Sequence, residues 1–195
     1  MQSTTKFRIN DLTKGAMFIA LMAIGANLTA FITIGSVPLT FQSVIAILAG
    51  ILLGKRLGAF SLIGYIMVGL IGAPVFAGFT GGFQVFASPT FGFLLSFVAI
   101  AYVAGSVVEK KAGQSSTAYF KAALSGLLVN YIIGVPYLYF HSTMILQLEN
   151  IQFTAIVGSM APFFVKDFIL ALFTASIVPK LKKAQTSFSS LREAS

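Results

Sequence analysis

The stretch Pro162–Leu181 reads PFFVKDFILALFTASIVPKL and is uncharged except for the adjacent pair Lys166 and Asp167 and a lysine near its end. Twenty residues at 1.5 Å each reach about 30 Å, the thickness of the hydrocarbon core of a bilayer, so we predict a membrane-spanning helix here. A charged side chain inside a span costs roughly 2.5 to 3.5 kcal/mol and marks a functional site by default. Neighbouring helical residues point about 100° apart. We therefore do not expect the two charges to pair, and we predict that they line a polar pocket.

The composition of the whole chain indicates the same class of protein. Of its 195 residues, 57% are hydrophobic, 9% are charged and none is cysteine, and the mean hydropathy is +0.92. These values are typical of an all-α integral membrane protein. The length suits one membrane domain, residues 1–195, without a separate soluble domain. The lack of cysteine excludes disulfides and thiolate metal sites.

Hydropathy predicts six transmembrane helices between short tails at about residues 1–14 and 182–195. The predicted spans lie near Gly15–Ile34, Thr40–Gly54, Leu57–Gly72, Phe91–Val108, Ala122–Phe140 and Pro162–Leu181. Six spans put both termini on one side of the membrane. That side then receives 12 of the 13 Lys and Arg residues: Lys6, Arg8, Lys14, Lys55, Arg56, Lys110, Lys111, Lys121, Lys180, Lys182, Lys183 and Arg192. The positive-inside rule therefore predicts cytoplasmic N- and C-termini in a plasma membrane. Topology accounts for the net charge of +8, which argues against a nucleic-acid partner.

A Gly-rich, uncharged segment, GAPVFAGFTGGFQVFASPT, separates the third and fourth predicted spans at Gly72–Thr90. Non-helical backbone at membrane depth is tolerated only where it packs on protein or lines a cavity. We predict a lid over an outer hollow; the alternative is a re-entrant loop packed without a ligand. The residues of this loop that we expect to border a ligand are Phe79, Thr80, Gly81, Gly82, Ser88 and Thr90.

Other polar residues lie in or beside the predicted spans. Gln42 stands near the start of the second span, and Asn130 and Tyr131 lie in the middle of the fifth. Asn130 alone is more typical of a helix–helix hydrogen bond than of a ligand contact, but we expect it to lie beside Asp167. His141, the one histidine, is predicted to be interfacial rather than a metal ligand. No nucleophile–base couple or metal cluster is visible, so we predict neither an enzyme nor a metal site.

Several segments resemble the BioY family, the biotin-binding S components of energy-coupling factor (ECF) transporters. They are VPLTFQSVIAILAGILLGKRLGAFS, GLIGAPVFAGFTGGFQVFASPTFGFLLSF, NYIIGVPYL and PFFVKDF. The resemblance covers about Ala16 to Lys180, and its most specific part is the run from Gly72 to Gly82. It implies a six-helix S-component fold in a prokaryotic cell membrane, with high-affinity capture of biotin as the transported ligand. It also implies a transmembrane coupling subunit and two ATPase subunits as partners.

The resemblance extends to single positions. Asp167 matches the acidic position of the family in the sixth span, and Gln42 and Tyr131 match its patterns in the second and fifth. We expect Asp167 and Asn130 to bind the ureido group. Aromatic side chains, Phe79 and Tyr131 among them, would then cover the ring.

The group that meets the vitamin's carboxylate is left open. Lys166 stands where relatives commonly have a small residue, and a lysine that often follows the aspartate is absent. The candidates are Lys166, Gln42, Ser88, Thr90 and the N–H groups of Gly81 and Gly82.

Ala16 and Ala20 are four residues apart in the first span, which permits close helix approach. The resemblance implies that they contact the coupling subunit; the alternative is packing within the same bundle.

Two further functions stay open: an S component for another vitamin, such as riboflavin or thiamin, and a proton-coupled solute carrier in which Asp167 titrates. A membrane scaffold without a ligand would leave the polar lining of the lid unexplained.

Overall fold

The computed structural model describes residues 8–110, 115–148 and 150–193, with side chains as far as residue 184. Lys6 and Lys111, two cations of the predicted basic side, lie outside these residues. The described elements, in chain order, are α1 (Ile9–Asn27), β1 (Thr33–Ile34), β2 (Val37–Pro38), α2 (Gln42–Leu53), α3 (Lys55–Leu70), a 3₁₀ turn (Phe83–Ala87), α4 (Phe91–Lys110), α5 (Ser116–Phe140), a π turn (His141–Ile145), α6 (Phe153–Ser159) and α7 (Ala161–Glu193).

The helix count differs from the prediction, because the described ranges contain seven α-helices rather than six. Four helical segments are long and apolar enough to cross a membrane: α1, α4, α5 with its π turn, and the first 24 residues of α7. Helices α2 and α3 have 12 and 16 residues, which at 1.5 Å per residue gives about 18 and 24 Å. The additional helix is α6, which has seven residues, none of them buried. A helix this short has no hydropathy signature of its own.

The first and last predicted spans have different ends in the structure. Helix α1 stops at Asn27, and the residues up to Ile34 enter an antiparallel β1–β2 hairpin in which Ile34 pairs with Val37. Hydropathy does not separate an apolar hairpin from the end of a helix. Helix α7 continues to Glu193 through most of the predicted C-terminal tail, and Pro179 lies inside it. Its 33 residues correspond to about 50 Å, longer than a bilayer core.

Glycines let the backbones of α2, α3 and α4 approach closely. A Cβ added at Gly50 would lie 2.3 Å from the carbonyl oxygen of Ala101, and one at Gly105 would lie 2.4 Å from the backbone nitrogen of Lys55. Small residues at such crossings are typical of helix packing in membranes. Helices α2, α3 and α4 therefore pack tightly against one another.

The segment between α3 and α4, residues 71–90, contains only the 3₁₀ turn and a β-bridge between Phe76 and Thr80. We call it the α3–α4 loop. Four side chains, from α1, α3, α5 and the π turn, form hydrogen bonds with its backbone. Asn27 Oδ1 accepts from the Phe79 N–H (2.6 Å), and Tyr65 Oη donates to the Val75 carbonyl (2.8 Å). Tyr137 Oη donates to the Phe86 carbonyl (2.9 Å), and His141 Nε2 donates to the Ala87 carbonyl (2.8 Å).

His141 lies at the end of α5, as the sequence indicates, and its side chain is buried within the protein. Its relative exposure is 2%, and its Nδ1 atom has no hydrogen-bond partner among the described residues. The π turn places the ring against the end of the α3–α4 loop. This burial could not be predicted, since a histidine at the end of a span can be exposed or buried.

Candidate ligand-binding site

A cavity lies beneath the α3–α4 loop, between the starts of α2, α4 and α7 and the middle of α5. Its polar lining consists of Thr40, Gln42, Ser43, Thr90, Asn130, Lys166 and Asp167. Its aromatic lining consists of Phe76, Phe93, Phe97 and Phe163. An apolar wall with a few convergent polar groups is the usual composition of a small-molecule site. The free volume of the cavity is about 70 Å³, less than the roughly 300 Å³ of small ligand pockets. The lining residues must therefore move apart before a ligand can enter.

Asp167 is the most constrained polar group of this cavity. Its relative exposure is 5%. Ser43 Oγ donates to Asp167 Oδ1 over 2.8 Å, and Tyr131 Oη donates to Oδ2 over 2.9 Å. The carboxylate is therefore held by α2 on one side and by α5 on the other, which fixes its orientation toward the cavity.

Lys166 and Asp167 form an ion pair, and the prediction that neighbouring charges would not meet is wrong. Lys166 Nζ lies 2.9 Å from Asp167 Oδ1, and it also donates to the Thr40 carbonyl. The Cα–Cβ bonds do diverge along the helix, but the flexible four-carbon stem of a lysine can fold back to its neighbour. The pairing depends on the side-chain conformation and on the acceptor offered by Thr40, neither of which is encoded in helical spacing.

The hydrogen bonds of Asp167 leave it with limited capacity for a ligand. A carboxylate offers about four lone-pair sites. Ser43 and Lys166 occupy Oδ1, and Tyr131 occupies one site on Oδ2. One acceptor site on Oδ2 therefore remains for a donor that enters the cavity.

Asn130 offers a second polar contact from α5. It is 3% exposed, and its Oδ1 accepts from Ser96 Oγ of α4 over 2.7 Å. Its Nδ2 has no protein partner among the described residues. The helix–helix hydrogen bond and the ligand contact considered as alternatives for this residue are thus compatible, because each uses a different atom of the amide.

Gln42 connects the cavity to the loop above it. Its Nε2 donates to Tyr65 Oη over 2.9 Å, and Tyr65 Oη donates to the Val75 carbonyl over 2.8 Å. This bond uses one of the two N–H groups of the Gln42 amide. The Gln42 Oε1 atom has no hydrogen-bond partner among the described residues and can accept from a ligand. Tyr65 was missed by the sequence analysis because a tyrosine inside an apolar helix has no distinguishing pattern.

Five predicted contacts from the α3–α4 loop do not line the cavity: Phe79, Thr80, Gly81, Gly82 and Ser88. Phe79 is 71% exposed and has a positive φ of 54°. The Gly82 N–H is already used to attach the loop to α3, since it donates to the Gly69 carbonyl over 2.7 Å. Thr90 does line the cavity, and Ser88 reaches it only through a 2.8 Å hydrogen bond to the Thr90 hydroxyl. The turns of a Gly-rich loop decide which way its side chains point, and composition does not predict those turns.

Two serines of the site were not singled out from the sequence: Ser43, which lines the cavity, and Ser96, which supports Asn130 from outside the lining. Ser43 and the supporting Ser96 are both buried. Serine in a helix more often bonds to a nearby carbonyl of its own helix, so its presence carries no signal. The one available hint was the position of Ser43 directly after Gln42, where polar residues cluster at the start of an apolar span.

Ala16 and Ala20 lie away from the cavity, on the exposed face of α1. The buried residues of α1, which pack into the bundle, are Gly15, Phe18, Met22, Gly25 and Ala26. The alternative in which the two alanines pack within their own bundle is therefore contradicted. Their face is free to meet lipid or another protein.

A model of the BioY family matches residues 1–187 of this chain. The chain is 36% identical over 182 residues to a protein named as a putative biotin transporter, BioYB, from Bacillus subtilis, covering 92% of this chain and 90% of that protein. It is 34% identical over 177 residues to the biotin transporter BioY of Thermotoga maritima, covering 91% of this chain and 98% of the relative.

A solved structure has the same fold. It is a crystal structure of the S-component for biotin from an ECF-type ABC transporter, with a TM-score of 0.68 and 27% sequence identity. The likeness covers 94% of this chain and 95% of the other. The similarity thus extends over the whole bundle, including the elements that surround the cavity.

Proposed function

This chain belongs to the BioY family, and from that membership we propose that it is an S component that binds biotin for uptake through an ECF transporter. The observation that carries the proposal is the buried carboxylate of Asp167, which keeps one acceptor site free in the cavity that Asn130 also lines. The Asn130 Nδ2 atom has no hydrogen-bond partner among the described residues. Biotin presents ureido N–H donors and a ureido carbonyl acceptor, which complement these two groups.

The polar atoms around the cavity suggest one arrangement of the ureido group. One N–H donates to Asp167 Oδ2, and the carbonyl accepts from Asn130 Nδ2. The second N–H finds its acceptor in Gln42 Oε1, since Asp167 has a single site left. Charge-assisted hydrogen bonds of this kind are stronger than neutral ones, so Asp167 contributes most.

The apolar bicycle of biotin suits the aromatic part of the lining, which includes Phe93, Phe97 and Phe163. Aromatic walls supply burial without competing for the polar groups. For the carboxylate of the tail, Thr90 remains from the loop residues considered, supported by Ser88. The Gly82 N–H is already bonded to the Gly69 carbonyl of α3 and is the weaker candidate.

The membrane arrangement follows from the position of the cations. In an S-component bundle, α1, α2, α3, α4, α5 and α7 act as the six transmembrane segments, and α6 lies beside them. Lys55 and Arg56 stand at the α2–α3 junction, at the opposite end of α2 from Gln42. The positive-inside rule makes that end cytoplasmic, so the cavity opens toward the outside and both termini are cytoplasmic.

Energy for transport comes from partner subunits in this proposal. The exposed face with Ala16 and Ala20 contacts the coupling subunit, and two ATPase subunits hydrolyse ATP. The named relatives are transporters rather than enzymes, and the same class is proposed here. Movement of the loaded protein by its partner would release biotin into the cytoplasm.

Equilibrium binding of biotin, riboflavin and thiamin to the purified protein tests the function directly. The proposal predicts saturable binding of biotin and none of the other two vitamins. Preference for riboflavin or thiamin would assign the chain to another vitamin. Uptake by sealed vesicles that follows a pH gradient without ATPase subunits would instead favour a proton-coupled carrier.

A further inference from the structure

The ion pair between Lys166 and Asp167 is a feature of the cavity that recognition of a ureido group does not by itself require. Lys166 Nζ lies 2.9 Å from Asp167 Oδ1 and donates to the Thr40 carbonyl as well. Its side chain is 20% exposed. The ammonium group is thus fixed at the edge of the cavity by two partners, and the carboxylate is neutralised before a ligand enters.

The pair determines the charge that an entering ligand meets. Lys166 and Asp167 are the only charged side chains among the described residues that line the cavity, so its formal charge is zero. Without Lys166, a buried carboxylate would attract any cation that fits, since charges interact strongly where water is scarce. With Lys166 in hydrogen-bonding distance, a second cation is repelled.

A neutral hydrogen-bond donor, unlike a cation, can bind Asp167 while the ion pair with Lys166 stays in place. The free acceptor site of Asp167 is on Oδ2, whereas Lys166 occupies Oδ1. A ureido N–H can therefore bind without displacing the lysine. A cationic donor at the same place would meet the ammonium at close range.

We propose that Lys166 is a specificity-determining residue that excludes cationic ligands from the site while leaving Asp167 able to accept from a neutral ureido group. The inference rests on the proposed binding of biotin and adds a reason for the lysine directly before the acidic residue.

The test compares biotin with 2-iminobiotin, in which the ureido carbonyl is replaced so that the ring carries a protonated guanidinium at neutral pH. Ring and tail are otherwise the same. Dissociation constants of both ligands are measured for the purified wild-type protein, Lys166→Met and Lys180→Met. Lys180 is an exposed lysine on the same helix, about 21 Å further along the axis, and serves as the matched control.

We expect the wild-type protein and Lys180→Met to prefer biotin by the same factor. In Lys166→Met that preference falls by about tenfold or more, because the uncompensated carboxylate attracts the guanidinium. The loss of the carbonyl acceptor affects all three proteins alike and cancels in the ratio. Lys166→Arg keeps the positive charge and should keep the preference for biotin.

An unchanged preference in folded Lys166→Met overturns the inference. If that variant does not elute as a folded protein in size-exclusion chromatography, Lys166→Gln, which is also neutral, replaces it under the same criterion. Failure of the wild-type protein to bind biotin would overturn the proposed function itself. Biotin binding with an unchanged ratio would overturn only the role of Lys166.

Discussion

Replacing Asp167 by Asn keeps the size of the side chain and removes its charge and one of its acceptor oxygens. In the wild-type protein Ser43 and Lys166 bind Oδ1, and Tyr131 binds Oδ2 beside the free acceptor site. The amide nitrogen of the variant would stand in place of one oxygen, so either the ureido N–H or a supporting side chain loses its acceptor. A hydrogen bond to a charged group contributes roughly 1.5 to 3 kcal/mol, which corresponds to about 10- to 150-fold in the dissociation constant.

The assay is equilibrium dialysis with radiolabelled biotin on the purified protein, since the chain contains no tryptophan to report binding by fluorescence. The matched control is Ser43→Ala, which removes one hydrogen bond to Asp167 and keeps its charge. We expect that control to weaken biotin binding less than Asp167→Asn does, because the charge and the free acceptor site on Oδ2 are kept. Thermal unfolding of each variant separates a loss of affinity from a loss of fold, because breaking a buried ion pair also destabilises a protein. Biotin affinity of a folded Asp167→Asn within threefold of wild type would refute the reasoning.

Asn130→Leu removes the unpaired Nδ2 and should weaken biotin binding by about 1 to 3 kcal/mol; an unchanged dissociation constant would show that the amide does not meet the ligand. Tyr65→Phe breaks the chain of hydrogen bonds from Gln42 to the α3–α4 loop, and we expect faster amide hydrogen exchange in residues 76–87 and faster biotin release, whereas identical exchange would contradict the link. Replacing both Ala16 and Ala20 by Trp should leave biotin affinity unchanged and abolish copurification of the coupling subunit, because the exposed face of α1 loses its flat surface; retained assembly would contradict the proposed contact.

Helices with a strong apolar pattern and clear flanks could be predicted from the sequence. Helix α4 begins at Phe91 as predicted, and α7 begins one residue before the predicted Pro162. Elements whose formation depends on tertiary contacts were not predicted. The hairpin after Asn27 and the short α6 are apolar enough to merge with their surroundings in a hydropathy profile.

The residues of the candidate site could be predicted from the sequence where a polar side chain interrupts an apolar helix. It located Asp167, Asn130 and Gln42, all of which line the cavity, because an unsatisfied polar group in a membrane helix is costly. Buried serines such as Ser96 gave no such signal. The position of Phe79 depends on the turns of the loop, and the pairing of Lys166 depends on how its flexible side chain folds.

The most direct test of the account is a structure of the protein with biotin bound. We expect one ureido nitrogen at about 2.7 to 3.2 Å from Asp167 Oδ2, the ureido oxygen at hydrogen-bonding distance from Asn130 Nδ2, and Lys166 still paired with Asp167 Oδ1. Biotin seated elsewhere in the bundle, or bound with its carboxylate tail rather than its ureido group beside Asp167 and Asn130, would contradict it.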